Sequence, residues 1–239
     1  MTAGRYAVYF MPTADIALWR AGSAWLGRDA ATNRTVPQPT PAGIDSAELA
    51  ARTATPRRYG FHATLKAPFR LAAAARRNDL EAAVASLAAA SPAFALGLQV
   101  GCLRDFVALL PNEPGADQAG QLARGCVTAL DRFRAPPTPA EYAHRKPERL
   151  PPRERALLDR WGYPYVLEAF RFHITLIARL SGSALAGTRA AAESWFAPLL
   201  REPLRVDAIT LCHQAQPDDP FIVLGRYPLG TSPLKCRES

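Results

Sequence analysis

Hydrophobic and polar positions first divide this chain into short alternating stretches separated by helical ones. Residues 5–10 alternate with the period of two that marks a strand, and Pro12 closes the run. From 15 to 26, Ile16, Trp19 and Leu26 recur at helical spacing, which places both Trp19 and Trp25 in the core, with Thr13 as N-cap. Residues 27–43 carry Asn33, Pro37, Pro39, Pro41 and Gly43 and read as a long surface loop. A short helix is predicted over 45–52, after which Arg57 and Arg58 lead into a strand over 59–66. Asn78 and Glu81 form a capping-box signature before an alanine-rich helix over 79–90. Strands over 93–103 and 106–110 make a hairpin around Arg104-Asp105, followed by a loop over 111–115 and a helix over 116–133. The proline-rich, basic stretch 135–152 reads as a linker. A helix over 153–161 ends at Gly162, another spans 183–200, and a final hairpin joins 204–214 to 221–227 across 217–220.

Within this pattern one segment recurs. Phe61-His62-Ala63-Thr64-Leu65 returns as Phe172-His173-Ile174-Thr175-Leu176, and these copies hold two of the four histidines. If both are strands, His62 and Thr64 share one face, as do His173 and Thr175, with apolar residues behind them. Each copy is followed by a helix and two strands, so the duplication is architectural. The expected class is α+β: two similar lobes of antiparallel sheet with outer helices, related by a pseudo-twofold axis. The two motif strands then meet at a central groove, within one bilobal domain covering 1–239.

Composition narrows the ligand only slightly. The 239 residues are 49% hydrophobic, ample for a core, and carry a formal charge of +8. All but three of the 29 basic residues are Arg. Guanidinium suits phosphate, although an Ala- and Arg-rich composition accounts for the charge equally well. Cys102, Cys126, Cys212 and Cys236 are scattered, with no metal-ligand or disulfide spacing. No apolar run reaches the roughly 20 residues that span a bilayer. The expectation is a cytoplasmic protein without membrane association, cofactor, metal or obligate protein partner.

Two imidazoles converging on one groove suit phosphodiester chemistry. One neutral imidazole takes a proton from the attacking oxygen, and one imidazolium protonates the leaving oxygen. The hydroxyls of Thr64 and Thr175 are placed for the non-bridging phosphate oxygens. Continued alternation puts Lys66 and Arg58 on the face of His62, and Arg171 on that of His173, as further phosphate contacts. Tyr59 is a candidate for stacking on a base or ribose, and Tyr163, in Trp161-Gly162-Tyr163-Pro164-Tyr165, for shaping the groove. Strand-end solvation of the cations and packing of the aromatics are the plain alternatives. His213 reads as a core-edge histidine, and His144-Arg145-Lys146 as a solvated hinge.

These motifs resemble the two-histidine (2H) phosphoesterase superfamily, which includes 2',5' RNA ligase-like proteins and cyclic nucleotide phosphodiesterases. Trp25-Leu26-Gly27-Arg28-Asp29, residues 58–69 and 161–165 extend the likeness to the branch associated with phosphonate metabolism. The resemblance implies a bilobal fold, and metal-independent hydrolysis or transfer at a cyclic phosphate or 2',5' linkage. For the phosphonate branch it implies a small cyclic phosphate, such as a ribosyl 1,2-cyclic phosphate, as substrate. The long loop 27–43 and the linker 135–152 depart from the compact pattern and are expected to cover the groove. Two other readings stay open: a module that binds RNA or a phosphorylated metabolite without chemistry, and an RNA end-joining enzyme running the same chemistry in reverse.

Overall fold

A computed structural model describes residues 4–112 and 115–230. The central element is a seven-stranded antiparallel sheet built from both halves of the chain. In chain order the elements are β1 (Arg5–Phe10), α1 (Ala17–Leu26), β2 (Arg28–Asp29), β3 (Arg34–Thr35), α2 (Ser46–Arg57), β4 (Ala63–Arg70) and α3 (Arg77–Ala90). There follow β5 (Phe94–Leu96), β6 (Leu98–Leu103), β7 (Phe106–Pro111), α4 (Ala116–Ala129), α5 (Pro139–His144) and α6 (Pro152–Trp161). Last come β8 (Ile174–Thr175), α7 (Gly182–Phe196), β9 (Leu204–Val206), β10 (Ala208–Gln214) and β11 (Ile222–Pro228).

The sheet order is β11-β10-β1-β4-β8-β7-β6. Strands β4 and β8, which carry the two motifs, are neighbours at the middle of the sheet and pair at Ala63 and Ile174. Strands β5 and β9 pair separately. Each of these pairings joins an element to its counterpart in the repeat β–α–β–β–β, as a local two-fold axis requires. The class is α+β with antiparallel sheets and flanking helices. The hairpins have changed sides, however: β10–β11 extend the sheet beyond β1 and β4, while β6–β7 extend it beyond β8.

One core cluster runs from Ala7 to Leu229. The apolar sides of both motifs enter it, with Phe61, Ala63, Leu65, Phe172, Ile174 and Leu176 all buried. Phe61 lies parallel to Phe196 of α7 at 6.2 Å and edge-on to Trp19 of α1 at 6.5 Å, while Phe172 meets Phe10 at 6.2 Å. Trp25 donates Nε1–H to the Leu176 carbonyl at 3.0 Å, tying α1 to the second motif.

Local expectations shift in several places. Helix α2 runs to Arg57, a turn and a half beyond residue 52, capped by Asp45, which accepts from the Glu48 amide at 2.8 Å. Arg58 is therefore a helix C-cap and not a strand residue. The Asn78–Glu81 box is absent: α3 begins two residues earlier, at Arg77 with Arg76 at its N-cap, and Glu81 pairs with Arg77 at 2.7 Å. Helix α1 starts at Ala17 with Ile16, not Thr13, at its N-cap. The loop 27–43 contains the two-residue pairing of β2 with β3, and the linker 135–152 contains α5. Part of the 111–115 loop and Cys236 lie outside the described residues. Among the described residues no helix is long and apolar enough to cross a membrane.

Candidate active site

Register dictates the site. With Ala63 opposite Ile174 in an antiparallel pair, continuing the count sets His62 across from Thr175 and Thr64 across from His173. Residues opposite one another in a sheet point to the same face, with Cβ atoms about 5 Å apart. Each imidazole therefore neighbours the other motif's hydroxyl, and all four side chains emerge on the face away from Ala63 and Ile174. Two adjoining cavities open there, of about 640 and about 360 Å³. His62 and Thr175 line the larger, His173 lines the smaller, and Thr64, Phe106, Tyr163 and Arg179 line both.

The approach to His62 is built with care by the backbone. Gly60 has φ of 81°, and a Cβ there would sit 2.4 Å from the Ala30 Cβ. Buried Arg28 donates to the Arg57 and Arg58 carbonyls at 3.2 Å and to that of Phe221 at 2.6 Å, fixing the end of α2. The loop 27–43 thus supports the motif from behind; none of its residues lines either cavity. The Gly60 carbonyl accepts from His62 Nδ1–H at 2.9 Å. A carbonyl only accepts, so Nδ1 holds the proton and Nε2 of the neutral ring is an acceptor. Thr64 Oγ1 is 3.1 Å from that Nε2 and donates to it. The second motif repeats the device: His173 Nδ1–H donates to the Arg171 carbonyl at 2.7 Å.

Burial disfavours the charged imidazole in both rings. His62, 9% exposed, is pushed down to about 4, first by burial and further by His173, against the raising effect of the Gly60 hydrogen bond. His173, less buried, is also lowered by burial and is raised by its bond to Arg171. The ring of Tyr9 packs on His62 with centroids 4.1 Å apart, and that of Tyr59 stacks on it at 5.8 Å.

The other candidates divide. Tyr59 and Tyr163 line the larger cavity, and Arg171 lines the smaller while donating to the Glu168 and Phe170 carbonyls. Lys66 does not reach the groove. Tyr9 pairs with Thr64 but the next residue back, Val8, pairs with Lys66, so β4 bulges at Leu65. The bulge breaks the alternation and turns Lys66 to the opposite face. There its ammonium donates to the Val127 carbonyl of α4 at 3.1 Å, with Asp131 at 3.7 Å. Arg58 also points elsewhere, to Asp218 at 2.9 Å. His213, on β10 between β1 and β11, lines neither cavity and packs against Tyr6 with ring centroids 4.8 Å apart.

Sequence reasoning passed over Tyr9, which lies opposite Thr64 with its hydroxyl buried and without a partner among the described residues. It also passed over Arg5, Phe106 and Arg179 at the groove wall and undervalued His144 and Arg145, which line it. Alternation along β1 carried a signal for the first two, since Arg5, Ala7 and Tyr9 share a face.

The sequence matches the family described as "Protein of unknown function (DUF1045)" over residues 64–222. The chain belongs to this family. Two curated relatives, both named ribose 1,5-bisphosphate phosphokinase PhnN, extend the match. The protein from Janthinobacterium sp. (strain Marseille) is 43% identical over 229 residues, 94% of this chain and 50% of its own. That from Laribacter hongkongensis (strain HLHK9) is 40% identical over 200 residues, 84% of this chain and 46% of its own. The chain thus spans about half the length of the curated relatives it matches. Among solved structures, E. coli LigT complexed with 3'-AMP aligns at a TM-score of 0.47 and 15% identity, over 96% of this chain and 100% of that one. A structure described as a phosphoesterase aligns at 0.44 and 16%, over 95% and 99%.

Proposed function

We propose that the chain is a metal-independent phosphoesterase that opens a cyclic phosphate or cleaves a 2',5'-type phosphodiester, with His62 as base and His173 as acid. The observation that carries this reading is the pairing of Ala63 with Ile174, which gathers two imidazoles and two threonine hydroxyls on one sheet face. Nothing in the lining of the larger cavity is a carboxylate, so a phosphate meets no repulsion there. No three His, Cys, Asp or Glu side chains among the described residues form a metal-binding group.

A phosphate anion entering the groove takes the Thr64 hydroxyl from His62 and frees Nε2. Water attacks phosphorus as His62 Nε2 accepts its proton. The P–O bond to the leaving sugar oxygen breaks as His173 Nε2 gives up a proton to it. Thr64 and Thr175 donate to the non-bridging oxygens, where negative charge grows. The bound anion itself raises the lowered His173 pKa, so that the acid is protonated when it is needed. Return of the proton from His62 to His173 through solvent closes the cycle.

The names of the curated relatives point to ribosyl phosphates as a substrate class. The chain contains no Gly-x-x-x-x-Gly-Lys-Ser/Thr phosphate loop, and we assign kinase chemistry to none of its residues. The test is turnover of nucleoside 2',3'-cyclic phosphates, a ribose 1,2-cyclic phosphate and 2',5'-linked dinucleotides with and without EDTA, against the double variant His62→Ala/His173→Ala. Turnover that survives EDTA and vanishes in the double variant is expected. Turnover unchanged in that variant, or none with any substrate, overturns the proposal. Tight binding of these compounds without turnover favours the binding-module reading, which the cationic wall of the cavity also supports.

A further inference from the structure

We propose that the end of the larger cavity bounded by Arg5, His144 and Arg145 is a second anion subsite, which takes a phosphomonoester carried by the same substrate molecule. The proposal rests on the phosphoesterase reading and adds to it a substrate class: a sugar or nucleoside bearing two phosphates, one at the histidines and one at these arginines.

Three observations lead there. Both guanidiniums lack a carboxylate partner among the described residues. Arg5 donates through Nε to Gln214 Oε1 at 2.9 Å and through Nη2 to the same neutral oxygen, and lies 5.9 Å from the Phe221 ring centre. Arg145 faces the Tyr163 ring at 4.9 Å. Cations held by neutral groups at a cavity wall keep their charge available to an anion.

The carboxylate that lines an adjoining cleft together with both arginines is committed elsewhere. Glu141, one turn before Arg145 on α5, forms a bidentate pair with Arg70 at 3.0 Å to each oxygen. Arg70 is itself directly opposite Arg5 in the sheet. Two like charges facing each other across a strand pair are unfavourable, and Glu141 relieves only one of them. Glu141 also closes the Thr138 capping box, and Tyr142 donates to Asp159 at 2.6 Å, so α5 holds His144 and Arg145 over the cavity.

Spacing completes the argument. Strand β1 pairs regularly with β10 from Arg5 to Tyr9, so Arg5, Ala7 and Tyr9 share the groove face. Tyr9 is opposite Thr64 at the reaction centre. Four steps along the strand separate the Arg5 and Tyr9 Cα atoms by about 13 Å. A sugar ring with a phosphate at each end fits that interval.

The deciding measurement is calorimetric binding of adenosine 3'-monophosphate, adenosine 3',5'-bisphosphate and the dinucleotide ApAp, which offers a diester in place of the second monoester. The bisphosphate should bind roughly 10- to 100-fold tighter than the monophosphate. Arg5→Gln and Arg145→Gln should each shrink that ratio, and the double variant should bring it near one. Arg5→Lys keeps the charge without the fork and should restore part of it, which guards against a folding defect in Arg5→Gln. A wild-type ratio near one, or a ratio that survives both substitutions, overturns the subsite. ApAp binding tighter than the bisphosphate also overturns it, because the anion is then an RNA backbone diester. Turnover of adenosine 2',3'-cyclic phosphate with and without a 5'-phosphate separates the two proposals. If neither is cleaved while the binding ratio holds, the phosphoesterase reading fails and the subsite stands.

Discussion

His62 lies across the strand pair from Thr175, a relationship that follows from the pairing of Ala63 with Ile174. Thr64 and His173 form the reciprocal pair. The register thereby sets each imidazole across from a threonine of the other half of the chain. Any shift of β4 against β8 would displace both pairs together. The core side of the same strands, from Phe61 and Ile174 to Phe196, is fully buried and resists such a shift.

The first prediction concerns the two imidazoles. His62→Asn and His173→Asn should each lower kcat by about two to four orders of magnitude, the usual range for loss of a general acid or base. Melting temperature should change little for His173→Asn, whose ring is half-buried. Steady-state rates and thermal melts on the same preparations test this. Retention of full activity by either variant excludes that histidine from the chemistry.

The pH dependence of stability follows from His62. Its folded pKa of about 4 lies below the unfolded value near 6.5. Between those values the unfolded chain binds the proton and the folded chain does not, so stability falls as pH drops from about 6.5 towards 4. The loss attributable to this ring is at most on the order of 3 kcal/mol. His173, also lowered, acts in the same direction. Denaturant midpoints at pH 7 and pH 4.5 should therefore lie closer together in His62→Asn than in the wild type.

Lys66 provides a discriminating negative. Burial lowers its ammonium to about 8, against the raising effect of Asp131, and 4% of the residue is exposed. Lys66→Met should change kcat/KM less than about threefold, whereas loss of a direct phosphate contact would cost roughly 10-fold or more. Asp131 keeps Arg134 at 2.8 Å and Arg160 at 3.3 Å. For the wild type, stability should rise with pH between about 8 and 10.5, because only the unfolded lysine is then fully protonated. That rise should be reduced in Lys66→Met, as read from urea melts across the interval.

The Lys66 case also marks what the sequence reveals and what it conceals. The paired motifs, their apolar backing and most helices were legible, because periodicity and burial act over a few neighbouring residues. The hairpin around Arg104-Asp105 was legible for the same reason. The bulge at Leu65 was not: it is a property of the pairing with β1, and it turns Lys66 to the other face. Arg58 was misplaced because α2 runs on to Arg57, with Pro56 inside its last turn. Arg5, Tyr9 and Arg145 join the groove only through the strand order β10-β1-β4 and the fold-back of α5, contacts set by tertiary structure.

The last prediction concerns Tyr9. Its side chain is fully buried, its ring supports His62, and its hydroxyl has no partner among the described residues. A buried hydroxyl without a partner costs about 1–3 kcal/mol relative to an apolar group of the same shape. Tyr9→Phe keeps the ring and removes the cost, so it should raise the melting temperature, by about 2–4 °C for each kcal/mol regained in a chain of this size. Tyr9→Ala removes the ring as well, leaving a cavity beneath His62 that costs about 3–5 kcal/mol. It should also release the His62 ring, lowering kcat beyond any effect of Tyr9→Phe. The pair of variants separates the two parts of the side chain. A rise in stability for Tyr9→Phe with reduced affinity for phosphate ligands would mark the hydroxyl as a group kept unpaired for substrate. A fall in stability would mean that the hydroxyl already has a partner in the free protein, and the argument from its isolation would fail.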